Sequence, residues 1–192
     1  GMAADVFESY EVTLVAAIIL AAVTTLAPDF REVYGVASAA FALKLILYPL
    51  LIRGVGVFSS IIGTWAVRAK EDGLADPMRP ISMGYWVASL VSIVGFAIVN
   101  HFYLIDPNTG VPDYRFFWAT TMGVVLAIVT LWLTNHFTHP DLAPTTETAA
   151  AARTGPATLL LAGMAEGMES TVWAVLTIGL TILSSLLIFP DS

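Results

Sequence analysis

Five long apolar runs, at about residues 5 to 27, 36 to 67, 83 to 104, 115 to 137 and 157 to 189, dominate the chain. An α-helix rises ~1.5 Å per residue, so about 20 residues cross ~30 Å of hydrocarbon. A segment in lipid must satisfy its own backbone donors and acceptors, which leaves helices as the answer for runs of this length. The expected fold is therefore all-α, a polytopic transmembrane bundle of about five helices occupying residues 1–192. Composition agrees: 57% of residues are hydrophobic and 12% charged, against about a quarter charged in a soluble domain. A soluble core is the losing alternative, and no nucleic-acid partner is expected at a net charge of −7.

The connections "APDFREVYG", "RAKEDGLADPMRPIS", "LIDPNTGVPDY" and "THPDLAPTTETAAAARTGP" carry most of the charges, as segments outside the hydrocarbon should. Arg68, Lys70, Arg79 and Arg153 fall on one side and Arg31 and Arg115 on the other, so the first set is expected in the cytoplasm. Aromatic residues such as Trp65, Trp86, Tyr114 and Trp132 sit where an interfacial belt belongs. Small residues in "GVGVFSSIIG" and "GPATLLLAGMAEG" read as close-packing helix faces. The chain has no cysteine, so neither disulfides nor thiolate metal sites enter. His101, His136 and His139 follow no ligand spacing, and no metal-binding residue is assigned.

Charges within the runs are the candidates for chemistry. Lys44 and Arg53 lie in the second run around Pro49, where a kink is expected. A charge at bilayer centre costs ~2.5 to 3.5 kcal/mol on insertion scales unless it pairs or snorkels, and pairing and transport remain equally open for both. Asp5 and Glu8 are three residues apart and share one helical face. They either cap a solvated helix start together with Glu11, favoured by the macrodipole, or act as proton carriers, because desolvation and a neighbouring anion each favour the protonated form. Glu166 and Glu169 repeat the spacing at the start of the fifth run, where helix-dipole compensation is the favoured reading.

Three stretches resemble one family, the membrane-bound, ion-pumping inorganic pyrophosphatases. "GMAADVFESY" is similar to the "GMAADLFETY" that closes a pyrophosphate-binding signature, and "LILYPLLIRGVGVFSSIIGTW" to a "YPL...GIIxSIIGT" helix. "ARTGPATLLLAGMAEGMESTVWAVL" resembles "TGxGTNVIxGLAxxMxSTAxPxL". The resemblance implies a homodimeric, multi-pass pump of a prokaryotic inner membrane, coupling Mg²⁺-dependent hydrolysis of diphosphate to movement of H⁺, or Na⁺ in some relatives. It implies that residues 1–192 are a partial pump domain from the middle of a longer protein, with the first helix in an inner ring and the others in an outer one. On the same basis Asp5 matches the aspartate of the ion gate and Glu8 the gate glutamate one turn on. Glu11 has no counterpart.

The departures bear on activity. An acidic "DNVGD" repeat is expected just before Gly1 and a second beyond Ser192, so the Mg²⁺ and diphosphate ligands are expected outside the segment, which alone would be inactive. The family's "GTN" is Ala157-Thr158-Leu159 here. The "MEST" wording of the fifth run leans to the potassium-independent proton type. The alternatives are a small non-catalytic membrane subunit and an ion-antiporter fragment.

Overall fold

The computed structural model describes residues 2–27, 30, 32, 38–67 and 78–189. The helices are α1 (Met2–Leu26), α2 (Ser38–Ala66), α3 (Met78–Tyr103), α4 (Tyr114–Thr138), α5 (Ala143–Ala151) and α6 (Pro156–Ile188), with a 3₁₀ turn at Ala152–Thr154 before α6. All but α5 are long and apolar enough to cross a membrane, and no strand is found among the described residues. The five expected spans are present. The third begins five residues earlier than its apolar run, because Pro80 sits in the first turn, where its missing N–H would have no helical partner anyway. Pro49 lies inside α2, and the helix runs through it unbroken from Ser38 to Ala66. Within the long connection before the last span, "APTTETAAA" forms α5. Its alanines and its early Pro144 favour helix, which the loop reading of that stretch overlooked.

The chain divides into two compact units, Gly1–Phe117 and Trp118–Ser192. In the first, α2 packs most extensively on α3 and also holds α1. The α2–α3 seam is built from small residues at four-residue spacing. Val55, Ser59 and Gly63 face Gly95, Ser92 and Gly84 in antiparallel order. A Cβ on Gly63 would lie 2.7 Å from the Gly84 carbonyl oxygen, and one on Gly84 would lie 2.9 Å from that of Gly63, so the backbones touch there. Midway, the Ser59 and Ser92 hydroxyls share a 2.6 Å hydrogen bond, with Ser59 buried. One part of "GVGVFSSIIG" is thus a packing face, as read from the sequence.

Away from the seam, a core of Phe30, Phe41, Leu45, Tyr48 and Leu104 closes one end of this unit. There α3 turns back into α4 through residues 104–113. Asn100, fully buried, donates from Nδ2 to the Asp113 carbonyl at 3.0 Å, and the Asp113 N–H donates to the Leu104 carbonyl at 3.0 Å. The Gly110 N–H donates to the Asp106 carbonyl at 2.8 Å, and Gly110, at φ 69°, supplies the left-handed turn after which the Val111 carbonyl accepts from the Asp106 N–H at 3.0 Å. At the head of α4 the Arg115 guanidinium grips Asp113, with Nη2 2.7 Å from Oδ2 and Nε 3.0 Å from Oδ1. Burial alone would push the Asp113 carboxyl up, but its hydrogen bonds to Arg115 and that residue's charge together hold it below its ordinary range.

In the second unit, α5 and the 3₁₀ turn fold against the start of α6. The Thr158 hydroxyl donates to the Ala151 carbonyl at 3.0 Å and meets the Thr154 hydroxyl at 2.7 Å. Gly155, at φ 131°, makes the bend that Pro156 then locks into helix. None of the described residues of α4 or α6 is buried.

Two outcomes follow from these contacts. Gly84→Val drives a side chain into the Gly63 backbone and should cost about 1–3 kcal/mol by overpacking; the thermal unfolding midpoint of the protein in detergent should fall, whereas Gly123→Val, at a position with open space around it, should leave it nearly unchanged. Because the folded Asp113 carboxyl sits below its unfolded value, its contribution to stability is present above the unfolded pKa and is lost as pH falls through the folded one. Arg115→Gln leaves burial as the main influence, so acid opening of the 104–113 connection, read by amide hydrogen exchange, should move to higher pH.

Candidate functional site

The two carboxylates singled out in the sequence both stand on α1. Asp5 lies in its first turn and Glu8 one turn on, and both side chains are exposed. The apolar stretch of α1 that qualifies as a span begins at Phe7, so Glu8 and Glu11 fall within it and Asp5 just before it. Among the described residues no cation pairs with Asp5, Glu8 or Glu11, and no group of three or more His, Asp or Glu could hold a metal ion. The described residues therefore do not fit a magnesium site, and no step through that ion is derived from them.

What α1 does show is two different faces. Tyr10, Leu14, Ala17, Ile18, Ala21 and Thr25 are half-buried or buried, at the three- and four-residue spacing of a packed helix stripe. Arg53 of α2 fixes the first turn of that stripe. Its guanidinium lies over the Tyr10 ring, 3.6 Å from the centroid, and Nη2 donates to the Tyr10 carbonyl at 3.1 Å and to the Thr13 hydroxyl at 2.5 Å. The Tyr10 hydroxyl in turn donates to the Arg53 carbonyl at 3.5 Å. Asp5 and Glu8 emerge roughly 140° around the helix from Tyr10 and Thr13, counting 100° per residue. They head a second stripe through Val12, Val15, Ile19 and Val23, each at least half exposed. The acids thus stand on the side of α1 that α2 leaves bare.

The remaining charged candidates separate. Lys44 has its Nζ 5.9 Å from the centroid of the Tyr103 ring, a cation–π contact between α2 and α3. Arg53 is paired with α1, in line with the structural one of its two readings. Its partners Tyr10 and Thr13 carried no signal in the sequence, because nothing local relates residues 40 or more positions apart. Glu166 and Glu169 do not compensate the start of their helix: α6 begins at Pro156 and its first turn holds no acid. The macrodipole acts within the first turn, so that expectation is corrected. Glu166 is half-buried and Glu169 exposed, both well inside the span Pro156–Ile188. Of the histidines, His101 meets the Tyr114 hydroxyl at 3.0 Å, His136 stacks on Trp132, and the His139 Nδ1 lies 4.0 Å from the Asp141 carboxylate.

Comparison with known proteins places these helices in a family. The family model described as inorganic H⁺ pyrophosphatase matches residues 1–189. The chain is 42% identical, over 98% of its length, to 24% of the K⁺-insensitive pyrophosphate-energized proton pump of Chloroflexus aurantiacus. It is 36% identical, over 96% of its length, to 25% of K⁺-insensitive pyrophosphate-energized proton pump 2 of Moorella thermoacetica. A putative K⁺-stimulated pyrophosphate-energized sodium pump of Clostridium tetani is 28% identical over 96% of this chain and 24% of that protein. No solved structure matches. The chain spans about a quarter of the length of the curated relatives it matches. With multi-pass helices throughout and a family match across nearly every residue, this chain belongs to the inorganic H⁺ pyrophosphatase family.

Proposed function

We propose that residues 1–192 are a membrane segment of a longer pyrophosphate-energised proton pump, an ion-translocating hydrolase, and that Asp5 and Glu8 are its gate carboxylates. The single observation that supports this reading most is the two-faced α1. The helix is anchored through Tyr10 and Thr13, and on the face turned away from them its acids meet no cation among the described residues. A carboxylate in a membrane pathway can take a proton from one side and release it to the other when its surroundings change, and intramembrane acids mark such pathways. Asp5 is the carrier in this reading, and Glu8, one turn away, is the neighbouring anion whose charge favours protonation of the pair. The relatives' names support diphosphate and H⁺ as substrates of the whole protein, and the potassium-independent type.

Hydrolysis itself belongs to other parts of that protein. Diphosphate hydrolysis with magnesium needs carboxylates that bridge metal and phosphate oxygens, and we assign them to sequence outside this segment. The homodimer and the prokaryotic inner membrane complete the reading. The small-subunit and antiporter alternatives are less well supported, since both leave the end-to-end pyrophosphatase match unexplained.

The gate assignment is tested in vesicles carrying the full-length protein. Asp5→Asn should abolish diphosphate-driven acidification, followed with a pH-sensitive dye, while Glu8→Gln should reduce it. Acidification by the Asp5→Asn protein at the unsubstituted rate would refute the assignment.

A further inference from the structure

Two helices are fastened to α2, and by different means. Against α3 the backbones touch at Gly63 and Gly84, and the Ser59–Ser92 hydroxyl pair sits midway. Against α1 there is no such approach. A Cβ on Gly54 or Gly56 would meet nothing within 4 Å, and a second small row of α2, Gly56, Ser60 and Thr64, stays open. Among the helices of its unit α1 packs on α2 alone, through the stripe that includes Leu14, Ala17, Ile18 and Ala21. Apolar contact of this kind is little better than contact with lipid, so it hardly distinguishes one rotation of the helix from another. The contacts that do distinguish are those between Arg53 and α1, the only hydrogen bonds that join α1 to another helix among the described residues.

Their geometry opposes both movements open to α1. Nη2 donates to the Tyr10 carbonyl and the Thr13 hydroxyl together, two acceptors three residues apart in the chain. A rotation by one residue, about 100°, would carry the Thr13 side chain away from it. The Tyr10 ring, with its centroid 3.6 Å from the guanidinium carbon, and the Tyr10 hydroxyl, returned to the Arg53 carbonyl, oppose sliding along the axis. Such a clamp needs the planar fork of arginine, since an ammonium has no face to lay on a ring. Glu8 is two residues from Tyr10 and Asp5 one turn further on. Within one continuous helix, whatever fixes Tyr10 and Thr13 also fixes the direction in which the two acids leave the axis.

We propose that Arg53 is a positioning residue for proton translocation: by clamping Tyr10 and Thr13 it sets the rotation of α1, and with it where Asp5 and Glu8 present their carboxyls. Among the described residues Arg53 makes no ion pair with either acid, so it acts through the helix and not through its charge on them. The proposal rests on the gate reading of the preceding section and adds to it the group that aims the gate.

The test uses the full-length protein in vesicles and reads two rates together, diphosphate-driven acidification with a pH-sensitive dye and release of phosphate, expressed as protons moved per diphosphate hydrolysed. Loss of structural support alone lowers both rates with the folded fraction and leaves their ratio unchanged, whereas misdirected carboxyls lower the ratio. Arg53→Gln should lower it at least about tenfold, within the reach of a ~1 Å misplacement of a reacting group. Arg53→Lys, which keeps the charge without the fork, should do the same. Thr13→Val and Tyr10→Ala should each lower the ratio with Arg53 intact, and Tyr10→Phe, which returns the ring face, should recover most of the loss. Lys44→Met removes the other cation within the α2 span and should leave the ratio as it is.

An unchanged ratio in Arg53→Gln or Arg53→Lys overturns the proposal, as does a fall with Lys44→Met equal to that with Arg53→Gln. Should the Arg53 variants not fold, an unchanged ratio in Thr13→Val and Tyr10→Ala overturns it equally. Asp5→Asn is measured beside them. Transport there at the unsubstituted rate refutes the gate reading itself; transport lost in Asp5→Asn with the ratio kept in Arg53→Gln refutes the positioning role alone.

Discussion

Hydrocarbon offers the backbone no hydrogen bonds, and the rest of this structure follows from that constraint. Each apolar run must become a helix that satisfies itself, so helix formation leaves little to decide. What remains is how helices recognise one another when their surfaces are as apolar as the lipid. Burying leucine against leucine gains little there, and association falls to close backbone approach and to polar contacts. The first unit uses both. Gly63 against Gly84 brings α2 and α3 to backbone contact, the Ser59–Ser92 hydrogen bond fixes their register, and Arg53 reaches across to the α1 carbonyl and hydroxyl.

That division explains what could be read from the chain before its structure. The spans were legible because hydropathy and length alone decide them; the start of the third moved outward where Pro80 suits a first helical turn, and the alanines of α5 added a short helix to the connection before the last span. The packing role of "GVGVFSSIIG" was legible too, since closely spaced small residues have few other uses in a membrane helix. Its split into two rows, one spent on α3 and one left open, was not, because four-residue spacing fits both rows equally well. Glu166 and Glu169 were misread for a related reason. Their dipole role depended on where α6 starts, and Pro156 starts it more than two turns before them.

The candidate site shows the same limit more sharply. The pairing of Asp5 with Glu8 on one face is a matter of local spacing and was visible at once. Which way that face points is tertiary, and it was settled by Tyr10, a residue with no claim to attention in the sequence beyond its ring. Arg53 could be flagged as costly in lipid, yet the sequence held no clue to Tyr10 and Thr13 as its partners, since the contact is made of a ring face, a main-chain carbonyl and a hydroxyl.

The clamp also ties the two halves of the functional reading together. Arg53 uses one face of α1 for its anchor and in doing so commits the other, with Asp5 and Glu8, to whatever lies beyond. Were α1 free to rotate, that face could turn toward α2 and Arg53. The ring and carbonyl contacts prevent this by occupying the guanidinium with neutral groups, which hold the helix without quenching its acids. The result is an anchor of neutral groups on one face of α1 and, among the described residues, two acids without a cation on the other.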